Sequence, residues 1–201
     1  MRWKKNWYFV HRWLGLVVSA QLLAWSVGGF TFSILDIKNV RGELDMTRGG
    51  QTALRLDAIA VTPQSAIQAS VDQADHNTHV HRAVLRQRGG RLVYELVGND
   101  GNPLASVDAT TGEVTHRISD EEAQTAALAD FEPEATVSSV EFLEGDAPLE
   151  FRGGRMPVYR VVLDHPKQPH IYVCPVTGEI LKRRNKLWRI FDFFWMLHIM
   201  D

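Results

Sequence analysis

Residues 88–97 read RGGRLVYELV, and residues 152–162 read RGGRMPVYRVV. A second pair of strings follows the first, VDATTGEV at 107–114 and VCPVTGEI at 173–180. The copies are offset by 64 and 66 residues, so whole structural units have been duplicated. A period above about 50 residues points to two tandem small domains and not to a solenoid.

Around these strings each unit reads as a helix followed by a short antiparallel meander. Thr62-Pro63-Gln64-Ser65 starts a helix over AIQASVDQA, with Pro in the first turn, where its missing N–H is no loss. Residues 81–86 and 91–97 flank Gly89-Gly90, and residues 103–107 and 113–118 flank Thr111-Gly112, two turn signals between strands. Ser119-Asp120-Glu121-Glu122 is a capping-box opening for a second helix through Asp130. Strands are expected again near 137–143, 159–164 and 171–173, and the strands of the two units are expected to end near Ile180. The fold class is therefore α+β, with units at 61–118 and 119–184 after a linker at 36–60. Gly112 and Gly178 occupy matching TGE corners, where a left-handed backbone is expected.

The 201-residue chain has 23% charged and 45% hydrophobic residues and a formal charge of -2. Those values exclude extensive disorder and fibrous architectures. They supply no field for nucleic acid, and no basic stripe with interleaved aromatics runs through the centre of the chain. The single cysteine, Cys174, excludes an intramolecular disulfide and zinc sites built on two or four thiolates.

Residues 13–35 contain no charge, and Gln21 is the one strongly polar side chain in LGLVVSAQLLAWSVGGFTFSIL. As a helix this stretch reaches roughly 34 Å, enough for a hydrocarbon core of about 30 Å. A cleaved signal peptide has an apolar region of only about 7 to 15 residues followed by an A-x-A-like site, so an uncleaved transmembrane helix is the expectation. Arg2, Lys4, Lys5 and Arg12 form a basic flank over 1–12, and Asp36 follows the span. The positive-inside rule then puts the N-terminus in the cytoplasm and the main domain outside. Ala20, Ala24 and Gly28 recur every four residues, a small-residue face suited to a helix–helix oligomer. Residues 185–201 read as an aromatic membrane-associated helix and the start of a second transmembrane helix, cut short at Asp201.

The T-G-E-[VI] turn closing each helix-plus-strands unit resembles the PepSY domain. HRWLGL at 11–16, running into LLAWSVGG, and the terminal LWRIFDFFWMLHIMD are similar to the membrane segments of PepSY-associated transmembrane proteins. The resemblance implies two PepSY units on the outer face of a bacterial inner membrane, periplasmic or extracellular. It further implies a role in restraining secreted peptidases. Some larger members of that group resemble haem-dependent ferric-siderophore reductases, which makes His11 and His198 candidate haem ligands. Facing histidines on membrane helices hold b-type haem. His11 sits at the cytoplasmic end and His198 begins from the outer side, so no cofactor is expected, and a haem b site would require an assembly of chains.

Other constellations are thinner. His76, His79 and His81 form H-x2-H-x-H before the first strand, a spacing that reads as a solvated loop more readily than as a metal site. Thr111, Gly112 and Glu113 match Thr177, Gly178 and Glu179 as structural turns, and a repeated turn glutamate is not by itself an acid–base pair. No nucleophile elbow, H-E-x-x-H or Walker loop occurs. Ten acids and no Lys or Arg lie between Ile118 and Phe151, and Lys182, Arg183, Arg184, Lys186 and Arg189 then cluster. The sequence points to a non-catalytic, membrane-anchored module whose partners are the lipid bilayer and a protein or peptide. The alternative is a membrane redox subunit in iron, siderophore or haem handling.

Overall fold

The computed structural model describes residues 2–47, 53–73 and 79–199. The chain divides into a helical unit, Met1–Leu44 with Arg184–Asp201, and a sheet unit, Asp45–Arg183.

The helical unit is built on α1 (Arg2–Ile34), a continuous helix of 33 residues. Its segment Asn6–Ile34 is long and apolar enough to cross a membrane. The buried core helix of a soluble protein would be covered, yet Trp7, Leu14 and Phe30 are each more than half exposed. Ser26 and Thr31 return their hydroxyls to the carbonyls of Leu22 and Val27, at 2.8 and 2.9 Å, which satisfies them without water.

After α1, Asp36 caps the short α2 (Ile37–Val40) by accepting from the Lys38 N–H at 2.9 Å. The terminal helix α5 (Lys186–Ile199) packs antiparallel on the second half of α1. Phe32 meets Phe191, Trp195 and His198 with ring centroids 4.9, 6.0 and 5.6 Å apart. Trp25 Nε1 donates to the His198 carbonyl at 2.7 Å. Gly28 permits the approach, because a Cβ there would lie 3.2 Å from His198 Nδ1. The turn into α5 is held by Asn185, 5% exposed. Its Oδ1 accepts from the Trp188 N–H at 2.7 Å and its Nδ2 donates to the Asn39 carbonyl at 2.8 Å.

The sheet unit contains both repeats. In the first, α3 (Pro63–Gln73) precedes a four-stranded antiparallel sheet ordered β1 (Val80–Arg88), β2 (Arg91–Gly98), β3 (Pro103–Asp108) and β4 (Val114–Thr115). Gly89 and Gly90 both have positive φ, as a two-residue hairpin turn requires. Leu92, Tyr94, Leu96 and Val107 point to one face and form a core with Ala66 of α3.

In the second repeat, α4 (Asp120–Asp130) opens on a complete capping box between Ser119 and Glu122. The sheet β5 (Thr136–Leu143), β6 (Val158–Asp164), β7 (His170–Val173) and β8 (Ile180–Arg184) keeps the same strand order. Ala123 and Ala127 let α4 sit close to Tyr159, Val161, Leu163, Ile171 and Val173. The fold is thus α+β, a helix laid on a four-stranded antiparallel sheet, twice.

The duplication is not uniform. Gly89-Gly90 joins β1 to β2 directly, whereas residues 144–157 join β5 to β6. The second RGGR string lies in that connection and makes no hairpin turn. Gly154 packs hard against the Phe151 ring, where a side chain could not fit. Phe151 in turn stacks on Tyr172 at 4.7 Å, which folds the connection back onto the sheet. The final strand also runs beyond the expected end near Ile180, to Arg184.

Candidate binding cleft

The register of β1 and β2 sets Arg82 opposite Val97, Val84 opposite Glu95, and Arg86 opposite Val93. Opposed residues share a face, so these side chains lie on the side of the sheet away from α3. Ser106 of β3 joins them opposite Glu95. Two arginines four residues apart on a strand thereby flank a carboxylate set in a strand whose residues after Arg91 are all buried.

The β7–β8 corner of the second repeat covers this face. The Val176 carbonyl accepts from Ser106 Oγ at 3.0 Å and from Arg88 Nη1 at 3.1 Å. The Pro175 carbonyl accepts from the Ile118 N–H at 2.7 Å. At the other end Arg155 Nη1 donates to the Gly101 carbonyl at 2.6 Å. Between these fastenings a cleft of about 530 Å³ remains open, with Arg82, Arg86, Arg155 and Lys182 as cations and Glu95 and Glu179 as acids. Met156, Pro157 and Leu181 supply apolar wall, and the buried Cys174 lines it as well.

Glu95 is 7% exposed and pairs with Arg86 Nε at 2.7 Å. Burial pushes its carboxyl above the usual glutamate range; Arg86 opposes that rise and the nearby Glu179 adds to it. The wall formed by residues 149–157 is fixed from behind. Glu150 pairs with His170 Nδ1 at 2.7 Å and accepts from the Tyr172 hydroxyl at 3.2 Å. Burial and the Glu150 charge push the Tyr172 phenol up to about 12. The cleft is therefore preformed and polar at its base. With three guanidinium groups and one ammonium against two carboxylates, it suits an extended ligand that carries acidic groups.

The two TGE corners share their backbone pattern and differ in their surroundings. In the first, the Gly112 N–H donates to the Asp108 carbonyl at 2.9 Å, and the Glu113 N–H donates to Thr111 Oγ1 at 3.3 Å. In the second, the Gly178 N–H reaches the Cys174 carbonyl at 2.9 Å, and the Glu179 N–H reaches Thr177 Oγ1 at 3.3 Å. Both glycines have positive φ, 80° and 69°. Thr111 and Glu113 are exposed. Thr177 is buried in the seam between repeats, and Glu179 faces the cleft.

The structure does not bring His11 and His198 together. His198 lies against Gly28, 17 residues beyond His11 on α1, which is roughly 25 Å along the helix axis. Within one chain they do not fit the two sides of one iron. Of the small-residue face, Gly28 is buried under α5 while Ala20 is exposed. His79 and His81 are exposed and His76 lies outside the described residues. Among the described residues no group of three or more His, Cys, Asp or Glu side chains is placed to hold a metal.

Arg82, Arg86 and Glu95 were not singled out from the sequence. The available signal was Glu95 itself, a charged residue within RLVYELVG, where every residue after the first is buried. The acidic run also reads differently in three dimensions. Glu122 pairs with Arg91, Asp130 with Arg183 and Glu141 with Arg160.

Two stretches, 60–115 and 117–184, match the family model described as PepSY, peptidase propeptide and YPEB domain. No curated protein and no solved structure matches the chain significantly.

Proposed function

Because the chain belongs to the PepSY family, with two copies of the domain behind an apolar N-terminal helix, we propose that it is a membrane-anchored, non-catalytic binding protein. In this reading α1 stays uncleaved in a bacterial inner membrane, with its N-terminus in the cytoplasm, and the paired domains face outward. The basic flank Arg2, Lys4, Lys5 and Arg12, with no acid among them, supports that orientation, while the basic cluster Lys182, Arg183, Arg184, Lys186 and Arg189 runs against it. The partner is a protein or peptide, and the propeptide relationship in the family description favours a peptidase held in check.

The single observation that carries the binding role is the cleft at the repeat seam. It is walled by both copies of the domain and combines apolar walls with an excess of cations. Arg82 is exposed and has no ion-pair partner among the described residues, which leaves its charge available to a ligand. The test is a binding titration of the full chain in nanodiscs with fluorescent acidic and basic peptides. Acidic peptides are expected to bind, Arg82→Glu to weaken them at least fivefold, and the bound peptide to remain intact. Equal binding of both peptide classes would remove the cleft from the account, and cleavage of the peptide would overturn the non-catalytic reading.

A further inference from the structure

At the end of the helical unit where α1 stops and α5 begins, five cations come from two distant stretches of chain. They are Lys38 and Arg41 after α1, and Arg184, Lys186 and Arg189 at the start of α5. The hydrogen bond from Asn185 to the Asn39 carbonyl joins the two stretches. Lys38 is therefore one residue from one end of that bond and Lys186 one residue from the other. Both lysines are exposed, and neither has an ion-pair partner among the described residues. Three acids share this end. Asp36 is committed to capping α2, Glu43 sits 3.7 Å from Arg41, and Asp192 lies a turn inside α5.

Directly toward the middle of the hairpin the surface turns apolar, with Phe30, Ile34, Ile190 and Phe193 each at least 42% exposed. At the boundary the Arg184 guanidinium lies 4.2 Å over the Trp188 ring. An amphipathic ring beside a cation is the arrangement that suits the headgroup level of a bilayer. Cations above that level meet lipid phosphates, and anionic lipid gains about fivefold in local preference for each cation close to the surface.

We propose that this collar binds the phosphodiester headgroup of an anionic phospholipid of the phosphatidylglycerol type, in the leaflet that holds the α1–α5 turn. Lys38 and Lys186 contact the phosphate and Trp188 marks its depth. The inference rests on the membrane-anchor reading of α1.

The test uses the full chain in nanodiscs of phosphatidylcholine and phosphatidylglycerol at four to one. Native mass spectrometry then reads the lipids retained on the protein. The ratio of phosphatidylglycerol to phosphatidylcholine retained on the wild-type chain is expected at about five times the one-to-four ratio of the bilayer. The double variant Lys38→Gln/Lys186→Gln, altered only at exposed side chains, is expected to lower that enrichment at least threefold. Lipid retained in proportion to bilayer composition, or enrichment unchanged in the double variant, overturns the proposal. Alkaline carbonate extraction of the same preparation separates the two failures. A chain that resists extraction yet shows no enrichment refutes the collar alone, and a chain that is extracted refutes the anchor on which it rests.

Discussion

Replacing each turn glycine by valine separates local backbone strain from packing between the repeats. Gly112 and Gly178 have similar positive φ, so a β-branched residue suffers comparable strain at both, about 1–3 kcal/mol. Their surroundings differ. A Cβ at Gly112 would meet only Val61 Cγ2, at 3.5 Å. At Gly178 it would lie 3.4 Å from Arg88 Cδ and 3.8 Å from Ile118 Cδ1. The further methyls of valine would then press on the residues that fasten the repeats, since Arg88 and Ile118 both bond to the Pro175-Val176 backbone. Overpacking of this kind adds about 1–3 kcal/mol. Gly178→Val should therefore destabilise the sheet unit by about 1–3 kcal/mol more than Gly112→Val. Urea unfolding of residues 45–183 reads the difference directly. Equal losses would refute a seam built on the second corner, and a larger loss at Gly112 would reverse the assignment of the two corners.

Glu95 makes stability depend on pH with a definite sign. Its folded carboxyl titrates above the unfolded one because it is buried, so the folded state holds more protons and stability falls as pH rises from about 4.5 through the folded value. Glu95→Gln lacks that loss, so its stability relative to wild type should improve steadily over the same interval; a pH-independent difference would contradict the burial argument. Asn185→Ala removes both the α5 cap and the bond to Asn39 and should loosen α5 from α1 by about 1–3 kcal/mol. Faster hydrogen exchange confined to α5 and its turn is the expected readout, and unchanged exchange there would contradict the role assigned to Asn185.

The parts of the fold legible in the sequence are those fixed by local chemistry. The Ser119–Glu122 capping box, the Gly89-Gly90 turn and the TGE corners each satisfy their own backbone within a few residues. The second RGGR string was opaque because its neighbours decide its shape. Gly153 has positive φ like Gly89, but Gly154 does not, and it yields its side-chain space to Phe151. The strand Ile180–Arg184 is hidden in the sequence because Lys182-Arg183-Arg184 belongs to a basic cluster, whereas Lys182 lies over the Phe151 ring and Arg183 pairs with Asp130.

The cleft was the least legible feature. Arg82 and Arg86 could be assigned to one face of a strand, but the surface opposite them is the backbone of the second corner. A carbonyl such as that of Val176, which accepts from Ser106 and Arg88, leaves no trace in side-chain pattern. The seam therefore emerges only when the two repeats are placed together. Its charged character depends on a buried glutamate, and a pattern of apolar strands passes over such a residue.

The most direct test of the anchored, outward-facing arrangement exploits the chain's single, buried cysteine. Wild type serves as the blank, and Ser138→Cys places an exposed thiol in the second repeat. Intact cells are treated with a membrane-impermeant maleimide, and the mass of the labelled chain is measured. Labelling is expected without permeabilisation, on a membrane-bound chain that still carries residues 6–34. Labelling only after permeabilisation would contradict the orientation, and a labelled product lacking α1 would contradict the anchor.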